Sequence, residues 1–356
     1  MPSFRSGTVS AILNQRRGMQ RIEVAMSDGS VANAYSLTEL IGTVAVGNKV
    51  VLNTTAVELG LGTGGWHVVH WNLSRDELIA PGPGHIMKMR YTSLQTDSGS
   101  VEELHGEALA DVDDIDDMPV VVCGLHSQVP YVSVAIRHLM PEAKIAYVMT
   151  DAAALPLVLS DLIADLVKKN LINVTITAGQ AFGGDHEAVN VASALVAARQ
   201  VEGVDIAIVA MGPGVVGTAT RLGYSALEVG PILDTVSWLG GHPIAALRFS
   251  QADQRLRHLG VSHHSLTALS LATHERVQIA VPIGPWQQLV LDDLQQAGIT
   301  DRHNVRSINT PDISKLLEQS GLEVKSMGRG PDVDPGFFEV AGSAGALGAS
   351  LIRLNG

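Results

Sequence analysis

The sequence predicts an α/β protein: a doubly wound, mostly parallel sheet with a small N-terminal β-barrel domain. Three observations predict it. From Pro119 onward, apolar runs of strand length alternate with helical patterns, as strands buried on both faces require. Before residue 74 the runs alternate in polarity and are broken by turn residues. The core material is aliphatic, since 46% of the 356 residues are hydrophobic and only 4% aromatic.

The barrel, of OB or SH3-like type, is expected at 1–75, with strands at 8–13, 21–26, 31–37, 49–54 and 66–71. Ser27-Asp28-Gly29, Gly47-Asn48 and Gly62-Thr63-Gly64-Gly65 supply its turns. Residues 76–118 read as an acidic connector, in which eleven Asp and Glu face only Lys88 and Arg90. Pro81-Gly82-Pro83-Gly84 is a turn there, and 85–94 a further strand. The α/β domain is expected at 119–356, with strands at 120–125, 144–149, 172–177, 204–211, 243–249 and 276–283. Helices at 129–139, 156–170, 187–200, 225–239 and 262–272 connect them, with Pro156 in the first turn of its helix. A C-terminal extension carries helices at 286–297, 312–319 (capped by Thr310 or Asp312) and 340–354.

Composition excludes several classes. The net charge of -12, with only the Arg16, Arg17 and Arg21 cluster in the barrel, argues against nucleic acid. No apolar run reaches the length of about 18 residues that spans a bilayer, so no membrane partner is expected. A single cysteine, Cys123, forbids an internal disulfide framework, and the opening residues lack a secretory pattern; a cytoplasmic protein is expected. The aliphatic surplus points to a homo-oligomer, at least a dimer.

Ligands of such sheets bind where loops leave the carboxyl ends of the strands. Asp151 follows the second strand of the domain. Gly183-Gly184-Asp185-His186-Glu187 follows the third, with Asp185 either a helix cap or a catalytic carboxylate. Gly212-Pro213-Gly214-Val215-Val216-Gly217-Thr218 follows the fourth, and Gly212, Gly214, Gly217 and Thr218 are candidates for holding an anion on backbone amides. That loop matches G-x-G-x-x-G. Pro213 and the absence of a helix opening within the motif nevertheless argue against NAD or FAD. The fifth loop carries Asp253, Arg255, Arg257 and His258 and ends in His263-His264. Adjacent imidazoles can share a ligand only from a loop or a helix start. Asp151, Asp185, His263 and His264 are therefore the candidate catalytic or divalent-metal groups, with His126, His186 and Arg255 secondary. No G-x-S-x-G elbow or Walker loop is present.

Several stretches together carry a resemblance. They are Leu52-Asn53-Thr54-Thr55-Ala56-Val57-Glu58-Leu59-Gly60-Leu61-Gly62-Thr63-Gly64-Gly65, Pro83-Gly84-His85-Ile86-Met87-Lys88-Met89-Arg90-Tyr91, Gly183-Gly184-Asp185, Met211-Gly212-Pro213-Gly214 and Gly260-Val261-Ser262-His263-His264. In this set and order the chain resembles the bacterial domain-of-unknown-function family 3866, which implies a conventional cytoplasmic protein and no particular activity. Ala152-Ala153 and Ser93 stand where the resemblance would put glycine and proline. The residues leave three functions open. One is an enzyme acting on a small anionic or phosphorylated molecule, another a non-catalytic small-molecule binder or sensor, and the third an oligomeric interaction protein working through its barrel.

Overall fold

The computed structural model describes residues 2–62 and 64–355, the last three by backbone only; Met1, Thr63 and Gly356 lie outside it, and with Thr63 the middle of one expected turn. Contacts divide the chain into two compact units, Met1–Gly99 and Ser100–Gly356.

The first unit holds a closed five-stranded barrel. Its strands are β1 (Phe4–Arg16), β2 (Met19–Met26), β3 (Val31–Leu37), β4 (Lys49–Asn53) and β5 (Trp66–Asn72), in the order β1-β2-β3-β5-β4. The β3–β5 pair is parallel and every other pair antiparallel. Alternation along β2 puts Ile22 and Val24 inside with Val9, Ala34, Val50, Leu52 and Val69. Gly7 lets β1 pass this core, because a side chain there would meet Val24 Cγ1 at 2.5 Å. The strand expected at 85–94 shrinks to Met87–Lys88, paired with Thr96–Asp97. Met89 and Tyr91 have positive φ, which breaks extended pairing beyond Lys88.

The second unit is an eight-stranded sheet, parallel throughout. Its strands are β6 (Pro119–Cys123), β7 (Ile145–Thr150), β8 (Val174–Ala178), β9 (His186–Ala188), β10 (Ile206–Met211), β11 (His242–Ala246), β12 (Gln278–Pro282) and β13 (Asn304–Ile308). They lie in the order β9-β8-β7-β10-β6-β11-β12-β13. Strand residues alternate between two cores: Val120 and Val122 face one, Val121 and Cys123 the other. On the first face pack α3 (Val191–Gln200), α4 (Val229–Trp238) and α6 (Gln287–Gln296). On the second pack α1 (Val129–Leu139), α2 (Asp161–Lys168), α7 (Ile313–Ser320) and the long α8 (Pro335–Asn355). Small residues let α8 approach α1 closely, since a side chain at Gly345 would meet the Val132 carbonyl at 2.5 Å. No helix among the described residues is long and apolar enough to cross a membrane.

Local chemistry moved several boundaries. Pro156 is extended, not helical. Ser160 caps α2 instead, accepting from the Ile163 amide at 3.1 Å. The helix expected from residue 187 starts at Val191 behind an Asn190 cap, and His186–Ala188 is an edge strand. Asp312 caps α7 by accepting from the Lys315 amide. The edge strand β13 was not expected, because its half-exposed, polar sequence carries no buried-strand signature.

Strand order sets where a ligand could sit. The chain leaves β6 and β7 toward one side of the sheet, and β10 and β11 toward the other. Diverging exits open crevices between β6 and β11 and between β7 and β10, at the carboxyl edge.

Candidate functional site

Between β6 and β11 lies a narrow cleft. Apolar residues line most of it (Gly124, Ala246 and Leu247 at the strand ends, Ala268 beyond), with Arg248, His264 and Ser265 as its charged and polar members. The chain after β11 forms a two-residue antiparallel ladder, Phe249–Ser250 with Gly260–Val261, which folds the intervening loop back over the rim. The short helix α5 (His263–Thr267) then begins behind Ser262, whose hydroxyl accepts from the His264 amide at 3.2 Å.

This folding gathers three imidazoles. The ring centres of His258, His263 and His264 are 5.1, 4.9 and 4.3 Å apart, and each ring offers a nitrogen within 4.8 Å of those of the other two. His258 Nδ1 shares a 2.7 Å hydrogen bond with the Ser262 hydroxyl. His264 stacks flat on Tyr224 at 4.0 Å, with the rings 2° from parallel, and Tyr224 in turn donates to the His264 carbonyl. Burial, then the Arg248 charge beside it, pushes His258 down to about 3. Burial and its neighbours His263 and Arg248 push His264 down to about 3 as well. At neutral pH these rings are uncharged.

Around them is an arginine–aspartate network. Asp253, 6% exposed, receives Arg255 through two bonds of 3.0 and 2.8 Å, Arg329 at 3.4 Å and Arg248 at 3.7 Å. Arg329 also bonds Asp334 at 3.0 Å, and Asp334 accepts from Ser250 at 2.6 Å. Three guanidinium groups thus share two carboxylates. Arg248 is 5% exposed and holds the weakest pairing of the three; burial pulls it down to about 10, which leaves it charged at neutral pH. Its Nη1 lies 3.4 Å from His264 Nδ1. A guanidinium only donates, so that nitrogen accepts.

A second group of polar side chains stands at the neighbouring crevice. Thr150, ending β7, donates to Glu228 at 2.6 Å, and Asp151 adds like charge. Burial raises Glu228 to about 7, with the Thr150 bond opposing and Asp151 reinforcing.

The structure brings together part of the expected set. Gly217 lies against His264, where a side chain would meet its ring at 3.3 Å, and a bridge from Gly217 to Tyr224 holds the loop there. Asp151 stays at the carboxyl edge, where its carboxylate accepts from the Gln180 amide at 2.8 Å. Gly212 is a packing glycine, since a Cβ there would lie 2.3 Å from the Ala154 carbonyl. Gly214, with φ +98°, opens to solvent, and Thr218 closes a local turn on Thr220 and Gly223. No helix opens on this loop before the short 3-10 turn Ser225–Glu228 that leads into α4. His126 is at the edge but spent on the Tyr147 hydroxyl, the Met211 carbonyl and Ser160. Arg255 serves Asp253.

Asp185 and His186 are elsewhere. Because β9 runs parallel to β8, the chain must return along β8 before pairing, which carries Asp185 to the amino edge. There its carboxylate accepts from the Thr175 amide at 3.0 Å and hydroxyl at 2.8 Å. His186 binds Glu202 at 2.6 Å, and Glu202 also takes Lys144, just before β7. The expectation that Asp185 would join His263 and His264 is corrected by this return. Sequence reasoning did not select Arg248, Tyr224 or Glu228, and named His258 only as a loop residue. The H-x-x-x-x-H-H spacing was the visible signal for His258. Cys123 is buried in the core, which pushes its thiol up and removes it as a nucleophile.

No curated protein and no solved structure matches this sequence. One family model does, "Protein of unknown function (DUF3866)", over residues 33–345, and a match of that extent makes the chain a member of that family.

Proposed function

We propose that the chain binds a small anionic molecule, of the phosphate or carboxylate class, in the cleft between β6 and β11. The observation that carries this reading is Arg248. It is a buried, charged guanidinium lining a mostly apolar cleft, and the nearest carboxylate, Asp253, is shared with two other arginines. Burying a charge without full pairing is costly, and an anion in the cleft would complete the pairing. The cleft's apolar wall suits the uncharged part of such a molecule.

The test is thermal stabilisation by inorganic phosphate and by small mono- and dicarboxylates. Wild type should gain stability with saturating concentration dependence, while Arg248→Met should not respond. Equal responses from both proteins would remove the proposal.

Catalysis, as distinct from binding, draws support from Glu228. A carboxyl titrating at about 7 is suited to proton transfer at neutral pH. The Glu228 side chain stands at the neighbouring crevice, bonded to Thr150, while Ala226 and Val229, close to it in sequence, line the anion cleft. Turnover of a ligand found in the binding screen, lost in Glu228→Gln while binding persists, would establish an enzyme. Release of every ligand unchanged would establish a binder.

A further inference from the structure

We propose that His258, His263 and His264 form a three-histidine site for a divalent transition metal of the zinc class. Among the described residues they are the group of three side chains whose donor atoms come within reach of one ion. The ring centres make a nearly regular triangle with sides of 4.3 to 5.1 Å. A tetrahedral zinc site with bonds of about 2.0 Å holds its nitrogens about 3.3 Å apart, so nitrogens lying within 4.8 Å of one another would close by up to about 1.5 Å to hold an ion.

Three features point to a ligand rather than to packing. His263 Nε2 is buried and has no hydrogen-bond partner, a costly condition for a ring nitrogen that an ion would relieve. His258 is held by Ser262 through Nδ1, which leaves Nε2 as its donor atom and fixes the ring as second-shell bonds do in histidine metal sites. His264 is oriented by the face of Tyr224, and its coordination requires Arg248 to release Nδ1. The donor set is all imidazole. Such a set selects zinc, copper, nickel or cobalt over magnesium and calcium, which require oxygen.

Arg248 shapes the rest of the site. Its charge, 3.4 Å from His264, opposes a bare cation and favours an anion as fourth ligand. For that fourth ligand alone the inference rests on the anion reading given above. Three protein ligands with one open position is also the arrangement that zinc uses when it acts on a substrate.

The test uses the full chain, freed of metal by a chelator, and titrates cobalt(II) alone, then cobalt with inorganic phosphate. Visible absorption of four-coordinate cobalt should grow to one ion per chain and be displaced by zinc. His263→Gln, a change at the half-exposed member of the trio, should weaken cobalt by at least about tenfold without unfolding the protein. His274→Gln, remote and exposed, should match wild type. If wild type takes up no cobalt or zinc, or His263→Gln binds both as wild type does, the metal site is wrong. Phosphate stabilisation without metal uptake would overturn this inference and keep the anion reading. Metal uptake with no phosphate response at Arg248 would do the reverse.

Discussion

Replacing Glu228 by glutamine isolates one charge at the carboxyl edge of the sheet. Glutamine keeps the shape and the oxygen that accepts the Thr150 hydroxyl at 2.6 Å, so the variant removes the negative charge and little else. In the folded protein the carboxyl titrates at about 7, against 4.5 when exposed, chiefly because burial penalises the anion and Asp151 adds repulsion. A raised carboxylate binds its proton more tightly folded than unfolded. Folding is therefore unaffected below about pH 4.5, loses stability as pH rises through 7, and carries the full cost above it. That cost is about 3 kcal/mol. Urea denaturation of both proteins from pH 4.5 to 8 reads it, because the difference between them cancels every other titrating group. The variant should match wild type at pH 4.5 and exceed it by 2–3 kcal/mol at pH 8, to within about 1 kcal/mol. A gap that does not change with pH, or a variant less stable at pH 8, would refute the reasoning about this crevice.

The other predictions concern the network and the glycines. Asp253→Asn leaves buried Arg248 without its carboxylate and should cost about 3 kcal/mol or more in thermal or urea unfolding, with part of the loss restored by phosphate. Gly212→Ala drives a Cβ toward the Ala154 carbonyl at 2.3 Å and should destabilise by about 2 kcal/mol, whereas Gly214→Ser, facing solvent at positive φ, should cost about 1 kcal/mol. Asp185→Ala should lower stability by about 1 kcal/mol through the lost Thr175 bonds, yet leave the phosphate response unchanged, because it sits at the opposite edge.

Much of the fold was legible because its signals are local. Alternation along β2 and β3, the apolar runs of β6, β7 and β10, and the Ser262 and Asp312 caps are written in neighbouring residues. The edge strands β9 and β13 were not, because a strand with one bonded neighbour and a half-exposed face lacks the continuous apolar run of a central one. The site was legible in part for a related reason. The rule that loops meet at the carboxyl edge brought Asp151, Gly217 and His264 to that edge. The loop after β8 broke it by turning back within seven residues to start a parallel partner, and it took Asp185 with it. Arg248 could not be read as a site residue from sequence. Its significance comes from sharing Asp253 with Arg255 and from Arg329, brought in from far along the chain.

Hydrogen–deuterium exchange with and without inorganic phosphate locates any ligand along the chain directly. Protection should fall on residues 246–265 and 212–228, and amides 184–186 and 200–205 toward the amino edge should exchange as before. Protection confined to the amino edge or to the barrel, or none at saturating phosphate, would contradict the account.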